Sequence, residues 1–368
     1  MKLLFCIKRL HAVAGGAERV FCTLCSALAA RGHAVTVLSF DAADQAPFYA
    51  LDARVRRISL AIGDSSQSAG ATETLRRMVA LRALVRAERP DVAVGFMHSM
   101  FVPLALALAG TAVPAVGSEH IVPEHYHSRP LQYLLLIATT PLLRAMTVLS
   151  ETIRMRYPAL VRRRMQVVPN PVHVAASTVP VSAEHGAPQV LLCVGRLDAQ
   201  KDHATLLLAF AQLAPAFPSW QLRLVGDGPL RADLSRQVAA LGLQSRVEMP
   251  GVTRQIDAEY QRATVFVLSS RYESFGLATA EAMSHGLPVV GFADCPGTNE
   301  LIASGRTGLL VAPGDDRCSA LAAALRSLLA DPGLRQRLGA AGRQAIDDRF
   351  SNARVCDAWE QLLRKVAA

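Results

Sequence analysis

The chain has 368 residues, 51% of them hydrophobic and 5% aromatic, and a net charge of +9. At roughly 100–200 residues per domain this length predicts two domains, and the apolar fraction excludes an intrinsically disordered chain. Aromatics this sparse, none interleaved with the basic clusters, exclude a stacking platform for nucleic acid, and seven scattered cysteines fit a reducing, cytoplasmic compartment rather than a disulfide framework.

In chain order, MKLLFCI at 1–7 reads as a strand, too short and too soon followed by Lys8 and Arg9 for a signal peptide. Ala17–Arg31 reads as a helix ended by Gly32, and HAVTVLSF as the next strand. Ser99 to Gly117 carries no charge, but Pro103, Gly110 and Pro114 divide it into a buried helix and a buried strand rather than a membrane span. DVAVGFM, AVPAVGSEH, AMTVLS and MQVVPN read as further strands. Residues 173–188 are small, polar and proline-containing, as a linker is. The alternation then restarts with QVLLCVG, a helix to about Pro215, WQLRLVG, a helix to about Leu241, VEMPG, VFVLSS, PVVGF and GLLV. Two doubly wound, Rossmann-like α/β domains follow, at 1–172 and 189–351, with ligands expected at the carboxyl ends of the strands. In the last segment, 352–368, Val355, Trp359, Leu362 and Leu363 share a helical face that is expected to pack back on the first domain.

Charge is placed unevenly. Residues 1–172 hold 20 Lys and Arg against 11 Asp and Glu, whereas 173–368 hold 19 of each. The whole excess lies in the first half, which predicts contact with an anionic surface; a solvated arginine-rich face is the plainer alternative.

Chemistry concentrates in the second half. Arg196 follows a predicted strand at once, and Lys201 precedes Asp202, a candidate helix N-cap. Two cations at a strand's carboxyl end suit a diphosphate, since Arg forks two oxygens and Lys adds a compact charge; position alone also fits two ordinary surface cations. In RYESFGLATAEAMSHGLPVV, at 271–290, Glu273 falls in a strand-to-helix turn and Glu281 inside the helix, about 8 Å further along. The helix is expected to start near Phe275 or Gly276, whose free N–H groups, with that of Leu277, form an anion or hydroxyl site. Glu281 is placed to grip vicinal hydroxyls such as those of a ribose, and Glu273 those of a sugar. The alternatives are exposed helix-terminal charges and the acid and base of a glycoside hydrolase, and the adjacent cation pair counts against the latter. His120, His125 and His127 have the residue type of metal ligands but no cysteine or acidic pair completes a set, and Cys22 and Cys25 on a helix read as packing.

These features arrive with GGAER at 15–19, SEH at 118–120, VVPNPV at 167–172, VGRLDAQKD at 194–202, GDGPL at 226–230 and GTNELI at 297–302. Together with the Glu–seven residues–Glu spacing, they resemble family 4 of the retaining glycosyltransferases, which have the GT-B fold of two Rossmann-like domains facing across a cleft. The forms of GGAER and SEH are similar to those of bacterial members that extend lipid-linked glycans for capsule, O-antigen or exopolysaccharide. The resemblance implies a retaining, metal-independent transfer of a hexose or N-acetylhexosamine from a nucleotide-sugar, UDP favoured, to a glycan or polyprenyl-diphosphate-linked acceptor. The donor would sit in the C-terminal domain and the acceptor on the basic N-terminal one, which is expected to dock peripherally on the inner face of the cytoplasmic membrane. By the same resemblance Gly15 and Gly16 form the loop that closes over the donor phosphates. His120 contacts the donor sugar, Arg196 and Lys201 neutralise the leaving diphosphate, Glu273 orients the sugar, and Glu281 holds the ribose. The Met249–Gly251 segment runs along the base, and Glu300 is a structural or donor-side carboxylate. No cofactor is implied. The alternative is a non-catalytic nucleotide-sugar-binding protein or partner subunit.

Overall fold

The structure, a computed structural model, describes the chain except residues 13, 14, 66, 68, 174–187, 313 and 315. Nearly all of the linker expected at 173–188 therefore lies outside the described residues. The chain divides into two compact units, Met1–Pro171 with Asn352–Ala368, and Val172–Ser351.

The first unit is built on a parallel sheet of β1 (Lys2–Cys6), β2 (Ala34–Ser39), β3 (Arg56–Ser59), β4 (Val92–Phe96), β5 (Ala115–Ser118), β6 (Ala145–Val148) and β7 (Met165–Val167), in the order β3-β2-β1-β4-β5-β6-β7. Strands β4 and β5 are buried at every position, as strands covered on both faces must be. The covering helices are α1 (Gly16–Ala30), α2 (Ala71–Glu88), α3 (His98–Leu108), α4 (Pro130–Thr139), α5 (Glu151–Arg156) and α6 (Ala159–Arg162). On α1 both Cys22 and Cys25 are buried, as packing residues. Strand β3 and helix α2 are among the elements that the pattern reading did not name. Strand β3 is an edge whose Arg56 is exposed, and α2 buries only Arg77, Leu81 and Val85 over 18 residues.

The second unit repeats the design with β8 (Gln189–Val194), β9 (Trp220–Val225), β10 (Val247–Gly251), β11 (Val265–Leu268), β12 (Val289–Phe292) and β13 (Leu309–Val311), ordered β10-β9-β8-β11-β12-β13 and parallel. Its helices are α7 (His203–Leu213), α8 (Arg231–Ala240), α9 (Ile256–Arg262), α10 (Leu277–Ser284), α11 (Thr298–Leu301), α12 (Arg317–Ala330) and α13 (Pro332–Phe350). Strand β11, VFVL, is a fully buried apolar run, so its carboxyl end delivers the turn that follows to one rigid place.

Helix α14 (Asn352–Ala367) returns to the first unit. Val355, Trp359, Leu362 and Leu363 are buried, and the Trp359 ring lies 6.1 Å from both Phe5 and Phe96. Its polar edge is fastened to the residues that end α1: Arg31 Nη1 meets Asp357 at 2.6 Å and His33 Nε2 meets Glu360 at 3.1 Å. Among the described residues no helix is long and apolar enough to cross a membrane.

Candidate active site

Strand β8 ends at Val194, and the chain turns through Gly195 and Arg196 into a single 3₁₀ turn, Ala199–Lys201. The Asp198 side chain caps that turn by accepting from Lys201 N. Asp202 does not act as the side-chain cap expected of it. It takes a left-handed backbone, φ 49°, and its carboxylate instead pairs with Arg271 Nη2 at 3.0 Å. Three further bonds lash this turn to the one after β11. Gln200 Nε2 donates to Tyr272 O at 2.8 Å, Arg271 N to Gln200 O at 2.9 Å, and Ser269 Oγ to Lys201 O at 2.8 Å.

The consequence is that Lys201 and Glu273 meet. Lys201 Nζ donates to Glu273 Oε1 at 2.6 Å with both side chains largely buried. An ammonium has three donors, so this contact leaves two for a ligand. Burial alone would lower the Lys201 pKa, but the charge and hydrogen bond of Glu273 outweigh it and the net shift is upward. Arg196 stands beside them with its side chain 70% exposed and its Nε 3.7 Å from Asp198 Oδ2. The flanking thiols of Cys193 and Cys295 are pushed up to about 12 by burial and so stay protonated and unreactive at neutral pH.

Helix α10 begins at Leu277, one residue after the expected range, because Gly276 adopts φ 84°. A side chain there would meet Thr298 Oγ1 at 2.9 Å, so this position needs glycine both for its backbone and for its space. Phe275 turns its ring inward, 5.3 Å from Phe350, and offers the turn its backbone. Glu281 is buried on α10, and its Oε2 accepts from Tyr260 OH at 2.9 Å. Tyr260 comes from α9, 21 positions away, and no local pattern in the sequence points to it. Along the neighbouring strands, Gly251 O accepts from Gly226 N at 2.9 Å and Met249 O from Arg231 Nη2 at 2.7 Å, so the β10 end forms one wall of the same carboxyl edge. Glu300 lies half-buried on the four-residue α11, its carbonyl accepting from Arg349 at 3.4 Å. The structure thus brings Lys201 and Glu273 into contact and sets Arg196, Glu281 and the Phe275–Leu277 turn on the same edge.

Gly15, Gly16 and His120 belong to the first unit. Gly15 is the N-cap of α1 and Gly16 its first residue. His120 is buried just past β5, its ring stacked 4.7 Å from Phe96. Its Nε2 lies 2.9 Å from Ser118 Oγ, which in turn lies 2.8 Å from Thr147 Oγ1. Burial lowers the His120 pKa to about 3, which leaves a neutral imidazole. Beside it the buried Glu119 accepts from Ile121 N and Tyr126 OH, each at 2.9 Å, and burial raises its carboxyl to about 7. Ser118, Thr147, Glu119 and Tyr126 are the supports that sequence reasoning missed, although Ser118 and Glu119 lie inside the SEH motif itself. Among the described residues no three His, Cys, Asp or Glu side chains gather as a metal site, so His120, His125 and His127 do not form one.

Two family models match the chain, "Glycosyltransferase Family 4" over residues 14–176 and "Glycosyl transferases group 1" over 178–345. A Campylobacter jejuni protein named GalNAc-alpha-(1->4)-GalNAc-alpha-(1->3)-diNAcBac-PP-undecaprenol alpha-1,4-N-acetyl-D-galactosaminyltransferase is 27% identical over 368 residues, covering 100% of this chain and 99% of its own. An alpha-maltose-1-phosphate synthase of Mycolicibacterium smegmatis is 33% identical over 58% of this chain and 59% of its own. Among solved structures, sucrose-phosphate synthase of Thermosynechococcus elongatus superposes with a TM-score of 0.85 at 23% identity, covering 100% of this chain and 99% of its own. HepE of Anabaena, solved with UDP, superposes with a TM-score of 0.78 at 20% identity over 99% of this chain and 100% of its own. Likeness at these identities speaks for the fold.

Proposed function

The chain belongs to the glycosyltransferases described by the family 4 and group 1 models, has the GT-B fold, and acts in glycan or polysaccharide biosynthesis; on that premise we propose that it is a retaining, metal-independent transferase that uses a UDP-sugar. The observation that carries this reading is the buried Lys201–Glu273 pair at the carboxyl edge of the second unit, with the exposed Arg196 on the same edge, its Nε 3.7 Å from Asp198 Oδ2. Lys201 and Arg196 stabilise the charge that grows on the departing diphosphate, a job that otherwise falls to a divalent ion. Glu273 orients the sugar hydroxyls and Glu281, steadied by Tyr260, holds the ribose. His120 contacts the donor sugar as a neutral hydrogen-bonding group, Gly15 and Gly16 close over the phosphates, and the leaving phosphate serves as the base for the acceptor hydroxyl. UDP is favoured by the family resemblance of the motifs, and HepE, which shares the fold, is a protein solved with UDP.

A panel of UDP-, GDP- and ADP-sugars tests this. At a hundredfold excess over its Kd, a bound donor adds about 2.7 kcal/mol of stability, a rise of a few degrees in Tm. UDP-sugars should produce that rise, and with an acceptor they should yield a glycoside of unchanged anomeric configuration by NMR, in buffer containing EDTA. No shift with any sugar nucleotide would overturn the donor assignment. A shift with neither transfer nor hydrolysis would leave a binding protein.

The acceptor is assigned to the first unit and to a membrane-linked glycan, as the name of the Campylobacter jejuni relative describes for that protein. The surface supports this. Helix α4 exposes Leu131, Leu134 and Leu135 and contains no charged residue, and Met155 and Leu160 are exposed on α5 and α6. From Arg129 to Arg164 the chain carries seven arginines and a single acid, Glu151. Apolar side chains ringed by cations fit the interface of an anionic bilayer. The protein should sediment with phosphatidylglycerol vesicles at low salt, and much less at high salt or with neutral lipid. Leu131→Ser/Leu134→Ser/Leu135→Ser should weaken that partition at least tenfold, since each leucine contributes about 1.5–3 kcal/mol when buried. Partition that ignores both salt and lipid charge would count against the reading.

A further inference from the structure

A second cationic cluster, which the donor assignment does not use, stands in the first unit. The strand order of that unit reverses between β1 and β4, which pair in parallel from Leu3↔Val92 to Cys6↔Gly95. Open sheets of this kind hold ligands just outside the carboxyl ends of the strands at such a reversal. Continuing the register places Lys8 and Arg9 beside Met97 and His98. His98 opens the 11-residue helix α3, and its Nδ1 is buried without a hydrogen-bond partner. The His125 ring lies 6.1 Å from it, and Arg129 Nη1 lies 3.2 Å from His125 Nε2. Lys8 Nζ bonds a backbone carbonyl, Gln67 O, at 2.6 Å.

The acids nearby are already engaged. Glu73 pairs with Arg77 at 2.5 Å, Glu124 pairs with Arg156, and Glu119 is buried against Tyr126 OH and Ile121 N. Burial, then Arg77 and Arg9, lower the Lys8 pKa, and Glu73 and Asp64 act against them. Burial first, then His125 when it carries a proton, Arg129 and Lys8, lower His98 to about 4, against a side-chain hydrogen bond with Gln132 that raises it. His125 is lowered by burial and by Arg129. Glu73 and Asp64 offset part of the charge at Lys8, but no carboxylate acts on His98 or His125, and a proton on either ring is costly unless an anion completes it.

We infer that the crevice at the β1–β4 reversal binds a phosphoryl group of the acceptor, held by Lys8, His98, His125 and Arg129. This rests on the acceptor reading above and sharpens it, because it makes a phosphorylated acceptor a requirement of this chain. Arg129 supplies a fork, Lys8 a point charge, and each histidine becomes a charged donor once the anion is in place. The sign follows. Both histidines are neutral in the free protein near pH 7, and an anion raises their pKa, so binding takes up protons and tightens as pH falls from neutrality towards 5.

The test uses the full chain saturated with UDP, so that the donor edge is already filled, and repeats each titration in Lys201→Ala. Inorganic diphosphate, farnesyl diphosphate and phosphatidylglycerol vesicles are titrated separately while the histidine C2–H signals are followed by NMR, assigned with His98→Gln and His125→Gln. Both diphosphates should shift the His98 and His125 signals and raise their titration midpoints by a pH unit or more. Arg129→Gln, an exposed change that cannot unfold the chain, should weaken diphosphate at least tenfold and leave UDP binding as it was. A response to vesicles but to neither diphosphate would overturn the proposal by assigning the cluster to the membrane surface, and no response to any probe would overturn it outright. Failure of UDP to bind would instead strike the donor assignment, and the titrations in Lys201→Ala would still decide this one.

Discussion

Lys201→Ala is expected to lower kcat/KM by about 10²–10³-fold, the usual cost of losing a charge aimed at a developing anion. It should also destabilise the protein. The ammonium and the Glu273 carboxylate sit 2.6 Å apart with side-chain exposures of 16% and 10%, and removing one partner strands the other. Breaking a buried pair in this way costs about 3–5 kcal/mol. The two losses separate in a double variant. Lys201→Met/Glu273→Gln replaces both charges with neutral groups of similar size, so stability should recover towards wild type. If Lys201 serves the diphosphate, activity should not recover with it. Recovery of both would overturn the diphosphate role of Lys201 and the sugar-orienting role of Glu273 together. The pH profile of the wild type adds a check. A lysine whose pKa is higher folded than unfolded stabilises fully below the unfolded value, and that support disappears only as pH rises through the folded one. The pair is therefore intact throughout the neutral range, and a fall in activity near pH 7 must come from another group.

Much of this was legible in the sequence because it depends on local order. Apolar runs such as VAVGF and VFVL have the composition of doubly covered strands, and the structure buries every residue in them. The eight-residue step from Glu273 to Glu281 places one carboxylate in a turn and the other on the helix, whatever surrounds them. The features that stayed hidden are of two kinds. Edge strand β3 and helix α2 are rich in arginine and bury little, so their periodicity is weak: an edge needs charge to stay unpaired, and a helix covered on one narrow stripe shows few apolar positions. The other kind is tertiary. Nothing near Glu281 announces Tyr260, and nothing near Lys201 announces Gln200 reaching across to Tyr272. Asp202 is the instructive miss. Asp before a helix is the usual cap, but Asp198 had already capped the preceding turn, which left Asp202 in a left-handed conformation and free to bind Arg271.

Gly226→Ala should damage the donor site more than any other single methyl group added to the second unit's loops. Strands β8 and β9 end side by side, with Gly195 N bonded to Val225 O and Leu197 N to Asp227 O, both at 3.0 Å. A Cβ on Gly226 would lie 2.0 Å from Gly195 O, in a backbone with φ 138°. The obstacle is a carbonyl rather than a flexible side chain, so the peptide between Gly195 and Arg196 must move, and it carries the Arg196 guanidinium with it. Overpacking of this sort costs about 1–3 kcal/mol, to which the unfavourable φ adds. Gly242→Ala is the control, because φ there is 66° but nothing lies within 4 Å of the added Cβ. It should cost about 1–2 kcal/mol through backbone strain alone. Both variants should melt below wild type, but only Gly226→Ala should lose UDP affinity, by tenfold or more, and turnover with it. Equal UDP affinity in the two variants would mean that the glycine at 226 serves the fold and not the placement of Arg196, and the cation at that strand end would then have to be set by something other than the close approach of these two turns.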